Sequence, residues 1–117
     1  MKVLFVCTLN RARSIAAERL YRRMPGLTVR SAGIDARAAH QLDEQDLIWA
    51  DRIFVCEAGH ESWIRSTFSG DLPEIIDLGI PDDFLVDDPR LATELCAALE
   101  PFLGEPSRGK TGKERNR

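Results

Sequence analysis

Val3-Leu4-Phe5-Val6-Cys7 is an unbroken apolar run, rich in β-branched residues, that follows directly on Met1 and Lys2. Such a run suits a strand buried on both faces, and a strand of that kind needs helices covering each side of its sheet. The remaining pattern supplies them. After the strand at residues 2–7, residues 14–23 carry Ala16, Ala17, Leu20, Tyr21 and Met24 at helical spacing, with Arg19, Arg22 and Arg23 on the other side. Pro25-Gly26 is the expected stop. Strands are expected at residues 27–31, 52–56 and 74–78, and helices at 43–50, 60–68 and 91–103. The last helix has Leu91, Leu95, Ala98, Leu99 and Phe102 as its apolar stripe. Alternating strands and helices imply crossover connections and a parallel sheet. The expected architecture is therefore a three-layer α/β sandwich around a central four-stranded parallel sheet. Ligands in such sheets bind at the carboxyl ends of strands, where loops lead into helix N-termini.

Charge and cysteine usage narrow the functional classes. The net charge is −3, but residues 104–117 hold five basic residues against two acidic ones, which leaves the body at −6. A body that acidic argues against nucleic-acid binding. The sequence divides into an α/β domain at residues 1–103 and a basic tail at 104–117, which is expected to be disordered. No apolar run approaches the roughly 18 residues of a membrane span, and the first apolar run is short for a signal peptide. A cytoplasmic protein, monomeric or weakly homodimeric, is expected. Cys7, Cys56 and Cys96 are odd in number and include no C-x-x-C pair, against both a disulfide framework and a zinc site. No metal and no cofactor are expected.

The chemistry concentrates in Cys7-Thr8-Leu9-Asn10-Arg11-Ala12-Arg13-Ser14, between the first strand and the first helix. A loop in that place can turn successive N–H groups into one concavity and bind an anion, helped by the helix dipole. Curling requires a residue at positive φ; the loop has no glycine, but Asn10 tolerates that region. The same field lowers a thiol pKa from about 8.5 and makes Cys7 a candidate nucleophile. Arg13 offers a planar fork for two phosphoryl oxygens. Ser14 is placed to hydrogen-bond the sulfur, to cap the helix, or both. A bare C-x5-R arises by chance in many chains, and a cysteine at a strand end is commonly a small core residue. Framed by a buried strand and an amphipathic helix, with Asn10 inside and Ser14 behind, the pattern is specific.

These residues resemble the C-x-x-N-x-C-R-S signature of the low-molecular-weight protein tyrosine phosphatases, which also lies near the N-terminus after the first strand. Ser31-Ala32-Gly33 resembles that family's S-A-G, Gln41-Leu42 its R-Q-L segment with His40 in place of Arg, and residues 50–55 its third-strand entry. The resemblance covers roughly residues 1–103. It implies a cysteine-dependent phosphomonoester hydrolase working through phosphocysteine on a phosphorylated protein or small phosphomonoester. It further implies Cys7 as nucleophile, Arg13 as clamp, Asn10 as the left-handed turn, Ser14 as thiolate partner, and the backbone of Thr8, Leu9, Asn10, Arg11, Ala12 and Arg13 as the phosphate cradle.

A leaving alkoxide or phenolate needs a proton donor. The family takes it from an Asp in a D-P-aromatic motif. Here the corresponding loop runs Pro81-Asp82-Asp83-Phe84-Leu85-Val86-Asp87-Asp88-Pro89, and alignment on Phe84 makes Asp82 the expected acid, with Asp83 and then Asp88 as alternatives. Phe84 is the expected substrate wall. Ala12 replaces the family's second loop cysteine, so oxidation of Cys7 is expected to run on to irreversible acids. The stretch between Gly33 and Gln41 is shorter than usual in the family, which implies an open cleft. Two other readings rank lower: an arsenate-reductase-like thiol enzyme using Cys56 as relay, and a phosphate-binding module without turnover. Residues 104–111 match G-x-x-x-x-G-K-T but follow a helix, outside the context that motif needs. His40 and His60 are expected to be structural or exposed.

Overall fold

The computed structural model describes residues 1–106; the expected basic tail beyond Pro106, with most of the G-x-x-x-x-G-K-T match, lies outside the described residues. The elements run β1 (Lys2–Cys7), α1 (Arg13–Tyr21), β2 (Thr28–Gly33), α2 (Glu44–Trp49), β3 (Arg52–Val55), α3 (Ala58–Thr67), β4 (Glu74–Asp77) and α4 (Pro89–Leu103). All three strand pairs are parallel and the sheet order is β2-β1-β3-β4. Strand order reverses at β1: the chain steps outward to β2 and returns to β3 on the other side. The crevice at the carboxyl end of β1 is the place where such folds bind ligands, and Cys7 is its last residue.

Period-two alternation along β1 divides the core. Val3, Phe5 and Cys7 join Phe54 of β3 and Cys56 just after it under α1 and α4, where Tyr21, Leu91, Leu95 and Leu99 are buried. Leu4 and Val6 face the opposite side with Ile53, Val55, Leu47 and Ile64, under α2 and α3. Burial of both faces of β1 from Val3 onward explains the unbroken apolar run there. Phe5 stacks on Phe54 at 5.8 Å, and Phe102 closes edge-on against Phe54 at 5.6 Å although 44 % exposed.

The expected elements are all present, with shifted ends. The first helix stops at Tyr21, short of the expected residue 23, and the chain turns through Met24 before Gly26 at φ 83. The last helix starts earlier than expected, at Pro89, because Asp88 caps it by accepting from the Arg90 N–H and Pro suits the first helical position. No helix among the described residues is long and apolar enough to cross a membrane.

Leu95 is fully buried between the sheet and α1. Leu95→Ala should lower unfolding stability by about 2–5 kcal/mol, read as a lower urea midpoint with an unchanged slope. A loss below about 1 kcal/mol would mean that α4 packs more loosely than this core implies.

Candidate active site

Residues 8–12 carry the chain from β1 into α1. Asn10 sits at φ 53, the only non-glycine residue with positive φ among the described residues. The carbonyls of Cys7, Thr8 and Leu9 accept from the N–H groups of Ile34, Asp35 and Ala39 at 3.0, 3.0 and 3.2 Å. The short segment after Gly33 is thus a strap that holds the loop by its carbonyls. In planar trans peptides the N–H of each unit points opposite to its carbonyl, so these amides turn away from the strap.

Asn10 also fixes the polarity of the hydrogen bonds at the sulfur. Its Nδ2 donates to Ser14 Oγ at 2.8 Å, and Ser14 Oγ lies 3.0 Å from Cys7 Sγ. An amide NH2 cannot accept, so Ser14 uses a lone pair there and keeps its one hydrogen for the sulfur. Cys7, Asn10, Arg13 and Ser14 are all buried. Ser14 is not the helix cap: Ala12 occupies that position with no side-chain cap bond, and the Ser14 hydroxyl is committed to the sulfur.

Arg13 is 2 % exposed, and its position is over-determined. Nη1 donates to Glu57 Oε2 and, at 2.8 Å, to the carbonyl of Ile80. Both hydrogens of Nη1 are then used, and the Nε–Nη2 edge remains as the free side of the fork. Asp82 Oδ1 stands 3.8 Å from Nε and Thr8 Oγ1 3.4 Å from Nη2. Burial pulls the Arg13 pKa down, but the hydrogen bond to Glu57 and the surrounding negative groups outweigh it and the net direction is up. Glu57 is held below the usual carboxylate range, chiefly by the hydrogen bond from Arg13.

Two residues of this network were not singled out as functional by the sequence reading: Glu57 and His60. The Glu57 N–H donates to His60 Nδ1 at 3.1 Å, and His60 Nε2 lies 2.9 Å from Thr8 Oγ1. Nδ1 must be the acceptor, so the ring is neutral with its hydrogen on Nε2, donated to Thr8. Burial first, then the Arg13 charge, pushes the His60 pKa down from 6.5. His60, expected to be structural or exposed, is buried against the loop between β1 and α1. The signal was available in E-x-x-H placed directly after β3, at the same sheet end as Cys7.

Leu9, Ala12, Phe84, Leu85 and Val86 form apolar walls of a cleft of about 440 Å³ over Cys7 and Arg13, and Arg11, Asp82 and Asp87 line it too. Leu85 is 77 % exposed at its edge. Asp82 is also shared with an adjoining cleft that includes Glu57, Asp77 and Asp83. Asp88 stands apart: its carboxylate is bound to Arg90, which holds its pKa low and commits it to capping α4. Cys56 lies beside the site with its thiol pushed up to about 12 by burial and by the proximity of Cys7. A thiol held protonated in this way is a poor relay nucleophile. Cys96 is on α4. His40, Asp43 and Asp46 bring ligand atoms within 4.8 Å of one another, but they already form the capping box of α2 and a His40–Asp46 bond at 2.8 Å.

A parallel α/β sheet whose switch-point loop presents a buried cysteine, a serine bonded to its sulfur and an arginine fork defines a cysteine-based phosphatase. Residues 2–59 match the model of the low molecular weight phosphotyrosine protein phosphatase family, and the chain belongs to that family of hydrolases. Solved structures agree on the fold. YfkJ from Bacillus subtilis is 24 % identical at a TM-score of 0.68, over 97 % of each chain. The low molecular weight protein tyrosine phosphatase from Streptococcus pyogenes is 15 % identical at a TM-score of 0.70, over 86 % of this chain and 92 % of its own. The YwlE arginine phosphatase from Geobacillus stearothermophilus is 22 % identical at a TM-score of 0.60, over 86 % and 90 %. No curated protein matches the sequence.

Two predictions follow from the geometry. A Cβ on Gly33 would stand 2.6 Å from the Thr8 carbonyl oxygen and 2.9 Å from the Asn10 nitrogen, both backbone atoms of the loop. Gly33→Ala should therefore displace the loop and cut kcat/KM by more than about tenfold with native circular dichroism; unchanged kinetics would contradict this close approach. The second concerns pH. Unfolded His60 binds a proton near 6.5 while folded His60 resists it, so stability should fall as pH drops below 6.5. Glu57 adds stability above its ordinary value of 4.5 that is lost as acidification continues. Urea midpoints from pH 7.5 to 5.5 should fall less in His60→Gln than in the native chain, and parallel curves would remove His60 as the cause.

Proposed function

We propose that the protein hydrolyses phosphomonoesters through a phosphocysteine intermediate, with Cys7 as nucleophile, Arg13 as phosphoryl clamp and Asp82 as proton carrier. The Cys7 Sγ–Ser14 Oγ contact of 3.0 Å, given its polarity by Asn10, carries the reading, because a hydroxyl hydrogen aimed at sulfur favours the anionic nucleophile and leaving group.

In the first step the Cys7 thiolate attacks phosphorus, the P–O bond to the leaving group breaks, and Asp82 protonates the departing oxygen. In the second, water attacks phosphocysteine, Asp82 takes its proton, and the S–P bond breaks to return the thiolate. Charge on the equatorial oxygens is met by the Nε–Nη2 edge of Arg13 and by the backbone amides of residues 8–13. Asp82 is favoured over Asp83 and Asp88 because its carboxylate faces that same edge. The positive charge comes from the loop and Arg13, so no metal is required. The apolar walls formed by Leu9, Phe84, Leu85 and Val86 suit an aryl leaving group, which favours phosphotyrosine over phosphoserine.

Release of inorganic phosphate from p-nitrophenyl phosphate in the presence of EDTA tests the scheme. Cys7→Ser should abolish turnover, Arg13→Lys should cost at least about a hundredfold, and Asp82→Asn should lower kcat by about a hundredfold or more. Vanadate should inhibit competitively. Turnover that survives Cys7→Ser, or that needs a divalent metal, would overturn the mechanism. A phosphoserine peptide outpacing a phosphotyrosine peptide would overturn the aryl preference.

A further inference from the structure

We propose that Glu57 and His60 are positioning residues for phosphate recognition: Glu57 sets which edge of Arg13 faces the cleft, and His60 sets which way the Thr8 hydroxyl points. The inference rests on the phosphatase reading but concerns two residues of α3's entry that touch no reacting atom.

The argument is one of donor and acceptor counts. A guanidinium with no fixed partner can rotate and present any of its edges. Here Glu57 Oε2 and the Ile80 carbonyl consume both hydrogens on Nη1, and only the Nε–Nη2 edge is left for two phosphoryl oxygens. Ile80 is buried and its carbonyl is fixed by the main chain, so Glu57 is the side-chain half of this clamp. The Thr8 hydroxyl is fixed by a second route. The Glu57 N–H, donated to His60 Nδ1, forces the His60 hydrogen onto Nε2, and that hydrogen goes to Thr8 Oγ1. Arg13 Nη2 approaches the same oxygen at 3.4 Å. With its oxygen accepting from His60, Thr8 has its own hydrogen left to donate to a phosphoryl oxygen.

Both devices start from one residue. The Glu57 side chain holds Arg13 and its N–H sets the His60 tautomer, in the turn that opens α3, where the His60 N–H donates to the Glu57 carbonyl at 3.0 Å. The strand β3 delivers Glu57 to the carboxyl end of the sheet next to β1, which is why one residue reaches both partners.

The test measures inorganic phosphate affinity by calorimetry alongside steady-state hydrolysis of p-nitrophenyl phosphate, for the native chain, Glu57→Ala, His60→Gln, His60→Ala, Thr8→Val and the His60→Ala/Thr8→Val pair. Glu57→Ala, which leaves one Nη1 hydrogen without its acceptor while keeping the residue 57 N–H for His60, should weaken phosphate binding about tenfold and lower kcat. His60→Ala and Thr8→Val should each weaken binding, and the pair should be no weaker than Thr8→Val alone, because His60 acts through Thr8. His60→Gln, which offers an amide N–H toward Thr8, should fall between native and His60→Ala. A purely structural role makes a different forecast: lower melting temperatures with native phosphate affinity in the folded fraction. That result, or full additivity in the pair, would overturn the proposal. Phosphate binding is read without turnover, so a native chain that binds phosphate but hydrolyses nothing would contradict the phosphatase reading and leave the positioning result standing on its own.

Discussion

The loop between β1 and α1 must turn sharply enough to bring the Ser14 hydroxyl back onto the Cys7 sulfur, and it does so without a glycine of its own. Asn10 takes the left-handed conformation, and its side chain bonds the serine it has brought into place. The missing glycine is supplied from outside. Gly33, at the end of β2, leaves room for the loop backbone to lie against it, and the strap that follows donates its N–H groups to the loop carbonyls. The left-handed turn, the close approach and the sulfur's hydrogen-bond partner therefore depend on one another, and each part of the site inherits its position from them.

Electrostatics organise the rest. Arg13 is a cation almost fully withdrawn from water, which is costly unless partners replace the lost hydration. Glu57 and the Ile80 carbonyl provide that replacement on one side, and Asp82 and Thr8 lie toward the other. The chain assembles these groups from three separate strand ends: Arg13 follows β1, Glu57 follows β3, and Ile80 and Asp82 follow β4. A parallel sheet is what makes this possible, since all its strands deliver their following residues to the same edge. Two acidic side chains, Glu57 and Asp82, stand against this single buried guanidinium.

Much of this was legible in the sequence, and the reasons can be assigned residue by residue. The β1 run was readable because both faces of that strand are buried, so no polar residue interrupts it. The loop was readable because its chemistry is local: Cys7, Asn10, Arg13 and Ser14 fall within one turn of the chain. Helix ends were less so. The first helix stops at Tyr21, where the apolar spacing continues to Met24, because the chain must fold back toward β2, and the last helix gains two residues from the Asp88-Pro89 cap. Glu57 and His60 are harder to read because their roles are long-range: E-x-x-H after β3 puts them at the right sheet end, but their partners Arg13 and Thr8 lie 44 and 52 positions away. The compensation for a short segment after Gly33 was equally hidden, since its carbonyl contacts are made by backbone and leave no mark on residue type.

The central claim is that Cys7 is the atom that carries the phosphoryl group. Rapid acid quench of the native chain and of Asp82→Asn during turnover of p-nitrophenyl phosphate, followed by peptide mass analysis, tests it most directly. The account predicts one phosphoryl group on the peptide containing Cys7, at higher occupancy in Asp82→Asn because loss of the base slows breakdown of the intermediate. Full turnover with the phosphoryl group on another residue, or with no covalent adduct at any quench time in either protein, would contradict it.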